Sequence, residues 1–164
     1  DTRDYMQDQG EGSYRRALYT FWKRMAPPPN LEAFNAPSRE VCTVRRERTN
    51  TPLQALVTLN DPQFVEAALK LAERAIRVGS GNSDKVIDEI AARVLARPLS
   101  DRERSILVHS HIDLLDYYRA QPEDAQALIG VSQAPIDPKI PAADLAAWTM
   151  VCNQVMNLDE TLCK

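Results

Sequence analysis

Apolar residues recur with a helical period along most of the chain after residue 50. Between residues 62 and 77 the apolar stripe is Val65, Ala68, Leu69, Ala72 and Ile76. This spacing places the side chains on one face of an α-helix. Further helices are predicted over about 83–96, 100–119, 121–130 and 142–157. Because no strand pairs or hairpin turns accompany them, the pattern predicts an all-α fold, an irregular helical bundle.

Capping signals set the boundaries of these helices. Thr51 followed by Pro52 and Gln54 is typical of a capping-box helix start, and Ser100 with Glu103 repeats it. The segment Asn60-Asp61-Pro62 indicates a break followed by a new helix. On the outer side of that helix, Glu66/Lys70 and Glu73/Arg77 are spaced as i, i+4 ion pairs. The proline-bearing segment 131–141 is interpreted as a linker.

The first third of the chain is less regular. Residues 1–12 are predicted to be a polar arm, and 13–164 a single helical domain, with a basic, loop-rich segment over 13–50 and the bundle over 51–164. Leu18, Phe21, Trp22 and Met25 have the spacing of one helical face, which predicts a helix over 13–25. Residues 26–50 hold four prolines and indicate a long Pro/Arg-rich loop.

Aromatic and basic residues alternate between Tyr14 and Arg24. We expect Trp22 and Phe21 to be core residues with the basic side chains along the rim. The alternative is that these aromatic and cationic groups stack on a sugar ring or a base.

Positive charge is concentrated in the same region. Residues 13–50 carry eight basic and three acidic residues, a net charge of +5, whereas the whole chain is at −3. Arg45, Arg46 and Arg48, followed by Asn50, lie just ahead of the helix start at Thr51. Guanidinium forks beside a helix N-terminus can hold an anionic ligand. The simpler interpretation, which we favour at this stage, is that these arginines pair with acids elsewhere in the domain.

Several classes of protein are disfavoured by composition. The domain is too acidic overall for a nucleic-acid footprint, and no apolar run is long enough for a membrane span. Cys42, Cys152 and Cys163 form no CxxC or CxxCH motif, which argues against zinc, thioredoxin-like and haem c chemistry. His109 and His111 diverge on a helix, and His111 is expected to be a core histidine with a hydrogen-bonded partner. We therefore expect no metal and no cofactor in this chain.

A set of ordered motifs resembles a known family. These are the run from Tyr14 to Arg24, then Ala26-Pro27-Pro28-Pro29, Ala36 to Cys42, Arg45 to Gln54 and Leu59-Asn60-Asp61-Pro62. Together they resemble the planctomycete-type domain of unknown function 1553 over about residues 5–76. The stretch from Leu145 to Glu160 is similar to the C-terminal helix of that family.

This resemblance implies a C-terminal domain of large exported proteins, which often carry a haem c domain and a companion domain of unknown function upstream. It implies no chemistry. Our first hypothesis is a non-catalytic helical module that packs against other domains of the parent polypeptide. The second is a domain that binds or acts on an anionic glycan through Arg45, Arg46, Arg48 and Asn50, with Trp22 and Arg39. Exposed arginines beside Trp22 would favour the second hypothesis, and arginines buried against internal acids the first.

Overall fold

Local signals in the sequence fix where the helices begin and end. The computed structural model describes residues 4–8, 10–23 and 25–163, and these residues form α-helices and 3₁₀ turns with no strand. The all-α prediction is therefore confirmed. The helices are α1 (Pro29–Ala33), α2 (Pro52–Asn60), α3 (Pro62–Gly79), α4 (Ser83–Val94), α5 (Asp101–Ala120), α6 (Pro122–Ile129), α7 (Ala142–Met156) and α8 (Asp159–Leu162).

The core is built around α3 and α7. Helix α7 packs against α3, α5 and α6, and α4 covers another side of α3. Helix α3 contributes the buried alanines Ala68, Ala72 and Ala75 to this core, and small side chains let neighbouring helices approach closely. Larger apolar residues fill the space around them: Leu69, Val86, Ile87, Ile90, Leu95, Leu145, Trp148, Val151, Cys152 and Val155. Within the described residues, every member of the apolar clusters lies between Ala68 and Met156.

The predicted helix starts at Thr51 and Ser100 are confirmed as complete capping boxes. The Thr51 hydroxyl accepts from the Gln54 amide at 3.3 Å, and the Gln54 side chain accepts from the Thr51 amide at 3.0 Å. Ser100 and Glu103 form the same reciprocal pair at the start of α5. These bonds satisfy amides that an uncapped helix would leave without partners.

We expect Thr51→Ala to lower the free energy of unfolding by about 1 kcal/mol, because it removes this cap. Thr51→Ser is the matched control, since a serine hydroxyl can accept the same hydrogen bond. Urea denaturation followed by circular dichroism measures both variants. Equal stability of the alanine variant and the wild-type chain would contradict the expectation.

The predicted helix over 13–25 is wrong. The chain forms two 3₁₀ turns there, Gly10–Tyr14 and Ala17–Tyr19, and then continues without helix through the described residues up to Pro29. Most of the stability of an amphipathic helix comes from burial of its apolar face. In the described part of the chain nothing covers that face, because Leu18, Phe21 and Met25 are all exposed. Residues 1–3 and 9 of the predicted polar arm, together with 24 and 164, lie outside the described residues.

The pattern predicted that the acidic residues of α3 lie on its solvent-facing side, and this prediction is wrong. Glu66 and Glu73 are buried, because the linker 131–141 crosses this face of the helix. Glu66 accepts from the backbone amide of Gln133 at 3.0 Å, and Glu73 from that of Asp137 at 3.2 Å. Lys70 pairs with Glu73 rather than with Glu66. The carboxylates of α3 therefore hold the linker in place.

Candidate functional site

Side-chain hydrogen bonds hold the end of the loop that carries the predicted ligand residues. Gln54, at 1% exposure, donates from Nε2 to the Ala33 carbonyl at 2.9 Å and to Thr49 Oγ1 at 2.8 Å. Asn35 donates from Nδ2 to the same hydroxyl at 2.7 Å. A buried glutamine thus joins α1, the loop and the first turn of α2. The arginines at 45, 46 and 48 therefore lie just before an anchored position, Thr49.

Two of the predicted ligand residues tie this loop to the C-terminal helix. Asn50 donates from Nδ2 to Asp159 Oδ1 at 2.8 Å, and this hydrogen bond lowers the pKa of the Asp159 carboxyl. Arg48 donates to the carbonyl of Cys163 at 3.5 Å. These contacts give Asn50 and Arg48 a structural role, because they connect segments more than a hundred residues apart.

Arg45 and Arg46 are in a different situation. Both side chains are exposed, and within the described part of the chain neither has a hydrogen bond or an ion pair. With Arg48 they border a cavity of about 390 Å³ whose wall includes Phe34. The interpretation that these arginines pair with internal acids is therefore wrong for Arg45 and Arg46.

Trp22 and Arg39 form the second part of the site. The guanidinium of Arg39 lies 5.7 Å from the centre of the Trp22 ring, a cation–π contact. It also donates to the carbonyls of Ala17 at 2.9 Å and Thr20 at 3.4 Å. Arg39 itself has φ 66°, a backbone conformation that is uncommon outside glycine. Trp22 is partly exposed under this arginine, so the expectation that it is a core residue is wrong.

Arg46 joins the two parts of the site. It borders the cavity beside Arg45 and Arg48. It also borders a second cavity of about 270 Å³, which is lined by Trp22, Arg39 and Leu18. A third concave region is lined by Tyr19 and Phe21, and Trp22 and Arg39 line this region as well. We refer to Leu18, Tyr19, Phe21, Trp22, Arg39 and Arg46 as the aromatic–arginine face.

The apolar members of this face are the residues that the sequence pattern placed incorrectly. Leu18, Tyr19 and Phe21 are 73%, 68% and 78% exposed. The pattern placed Leu18 and Phe21 on one helical face and assigned Phe21 to the core of this chain. The excess of basic residues over 13–50 indicated that this segment lies at the surface, since burying so many cations would be costly.

The histidines and cysteines give no metal centre in the described part of the chain, where no group of three or more His, Cys, Asp or Glu side chains is placed to hold an ion. Cys42 is exposed, while Cys152 is buried, and burial raises the pKa of its thiol. His111 is buried as predicted, but its Nε2 has no hydrogen-bond partner among the described residues. Among the described helices, none combines the length and the apolar character that crossing a membrane requires.

Comparisons with known proteins give one match. The family model described as PSD1, protein of unknown function (DUF1553), matches residues 1–111. The match includes the aromatic–arginine face and extends into α5, while α7 lies beyond it. Neither the curated proteins nor the solved structures contain a significant match to the chain. Because the family model covers more than half of the sequence, this chain belongs to the DUF1553 family of proteins of unknown function.

Proposed function

We propose that the chain is a docking module, whose aromatic–arginine face packs against another domain of a larger exported polypeptide. The observation that carries this proposal is the exposure of Leu18, Tyr19 and Phe21 together, outside the core clusters around α3 and α7. Single exposed apolar residues are common, but clustered ones mark sites of interaction.

The composition of the face agrees with this role. Aromatic residues and arginine are enriched where proteins bind one another, and Trp, Tyr and Arg dominate the binding energy at such interfaces. The face combines Tyr19, Phe21 and Trp22 with Arg39 and with the unpaired Arg46. The surrounding segment 13–50 has a net charge of +5. The partner surface is therefore expected to be apolar at its centre and to carry carboxylates that pair with the arginines.

The family resemblance suggests the partner, namely the companion domain of unknown function upstream in the same polypeptide. The test is isothermal titration calorimetry between that domain and this chain, each expressed separately. We expect binding that Phe21→Ser weakens by about tenfold or more, as truncation of an aromatic anchor does. Arg46→Glu is expected to weaken binding as well, and by a larger factor at low salt than at high salt.

Ile106→Ser provides the matched control, because Ile106 is 58% exposed on α5, outside the aromatic–arginine face. It is expected to leave the affinity unchanged. Absence of binding to the wild-type chain would contradict the proposal. Equal effects of Phe21→Ser and Ile106→Ser would also contradict it, since the face would then have no special role.

A second candidate function is binding of an anionic glycan by Arg45 and Arg46. The specific observation in its favour is that both guanidiniums are exposed and unpaired in the described structure, beside a cavity of about 390 Å³. Arginine matches sulfate and carboxylate groups of such a glycan through paired hydrogen bonds. In this case the cations repel one another until the ligand binds.

Melting temperatures of alanine variants test the structural side of this candidate. We expect Arg45→Ala and Arg46→Ala to melt at or slightly above the wild-type temperature, because neither breaks an ion pair. A marked fall for either variant would mean that the arginine has a structural partner. Retention on immobilised heparin then tests binding. Arg46→Ala should elute at lower salt than Arg102→Ala, a control on the exposed side of α5. Equal elution would exclude this candidate.

A further inference from the structure

A further cavity lies in the helical bundle, and none of its lining residues belongs to the aromatic–arginine face. It has a volume of about 310 Å³ and lies where the end of α3 and the starts of α4 and α7 meet the middle of α5. Ile76, Val86, Leu115 and Ile140 give it apolar walls. Pockets that bind small molecules have this size and this mainly apolar lining, with a few polar groups that orient the ligand.

His111 and Trp148 form one wall of the cavity. Their rings stack with centroids 3.7 Å apart, and His111 is only 8% exposed. Its Nε2 has no hydrogen-bond partner in the described part of the chain. Burial lowers the pKa of the imidazole, and the nearby charge of Asp144 opposes this shift. A buried polar atom without a partner is rare in folded proteins.

Two opposite charges also border the cavity. Lys139 precedes α7 and Asp144 lies in its first turn. Within the described residues, no ion pair joins them to each other or to a third group. The first turn of α7 has no side-chain cap, so its amides are also open to an acceptor. The cavity therefore offers separate binding groups for an anion and for a cation.

We infer that this cavity binds a small zwitterion, an α-amino acid with an apolar side chain. Lys139 and the open first turn of α7 receive its carboxylate. Asp144 accepts from its ammonium group. The side chain of the ligand packs against the apolar walls. This inference does not depend on the docking role proposed above.

Isothermal titration calorimetry on the full chain tests the inference with three probes. L-leucine carries both charges, isocaproate lacks the ammonium group, and isoamylamine lacks the carboxylate. We expect L-leucine to bind saturably at one site per chain. Each of the other probes is expected to bind about tenfold more weakly, because one charged hydrogen-bonding group is lost.

Variants assign each charge to its receptor. Asp144→Asn is expected to weaken L-leucine about tenfold and to leave isocaproate unchanged, whereas Lys139→Ala should weaken both of these probes. Asp113→Asn and Lys85→Ala are the matched controls, because both residues are exposed and lie outside the cavity. Circular dichroism confirms that each variant is folded.

Three results would overturn the inference. The first is the absence of saturable L-leucine binding to the wild-type chain. The second is equal affinity for all three probes, which would indicate an apolar cavity that does not recognise the two charges. The third is unchanged L-leucine affinity in both Asp144→Asn and Lys139→Ala.

Discussion

Trp148→Ala is expected to lower the free energy of unfolding by about 3–5 kcal/mol, as removal of a buried tryptophan does. Trp148 is 5% exposed and belongs to the cluster between α3 and α7. The substitution leaves a void in that cluster and removes the ring that stacks on His111 at 3.7 Å. Since a domain is stabilised by only about 5–15 kcal/mol, this variant should be close to unfolding at physiological temperature.

Urea denaturation, followed by helical circular dichroism, measures this loss. Trp148→Phe is the matched control, because it retains an aromatic ring that can stack on His111. The control should lose clearly less stability than the alanine variant. If the two variants lost equal stability, the aromatic ring that phenylalanine keeps would contribute little at this position. That result would contradict the packing described above.

Leu69→Ala and Phe21→Ala should differ strongly, although each removes one large apolar side chain. Leu69 is 0% exposed on α3, and we expect its truncation to cost about 2–5 kcal/mol. Phe21 is 78% exposed, and its truncation should change stability by less than about 0.5 kcal/mol. The same denaturation experiment measures both variants in the isolated chain.

The comparison contradicts the account if Phe21→Ala loses as much stability as Leu69→Ala. Phe21 would then belong to the core of this chain, as its helical spacing suggested. Phe21→Tyr offers a further control, because it adds a hydroxyl that only an exposed ring accommodates without cost.

The bundle was predictable from the sequence because its signals are local. Thr51, Pro52 and Gln54 define the start of α2 through bonds within one helical turn. The stripe from Val65 to Ala72 is buried as its period predicts. Helix α8 was missed, since its four residues are too few to show a period.

The first third of the chain was not predictable by the same reasoning. Leu18, Phe21 and Trp22 have a helical period, but a period shows only that one face of a segment is apolar. It does not show whether the covering surface belongs to the same chain. The partners of an arginine are also invisible in sequence. Arg48 contacts the carbonyl of Cys163 from more than a hundred residues away, while Arg46 has no partner in the described structure.

The burial of Glu66 and Glu73 illustrates a third limit. Their spacing on α3 fits an exposed face, and only the path of the linker 131–141 shows that the face is covered. The backbone amides that bind these carboxylates come from residues with no distinctive sequence pattern.

Hydrogen–deuterium exchange tests the central claim, that the aromatic–arginine face is exposed here and covered in the larger polypeptide. The measurement compares the isolated chain with a polypeptide that also contains the upstream companion domain. We expect amides of residues 17–23 and 41–48 to exchange rapidly in the isolated chain and to become protected in the larger protein. Amides of α3 and α7 should be equally protected in both. Rapid exchange of residues 17–23 in both proteins, or protection already present in the isolated chain, would contradict the claim.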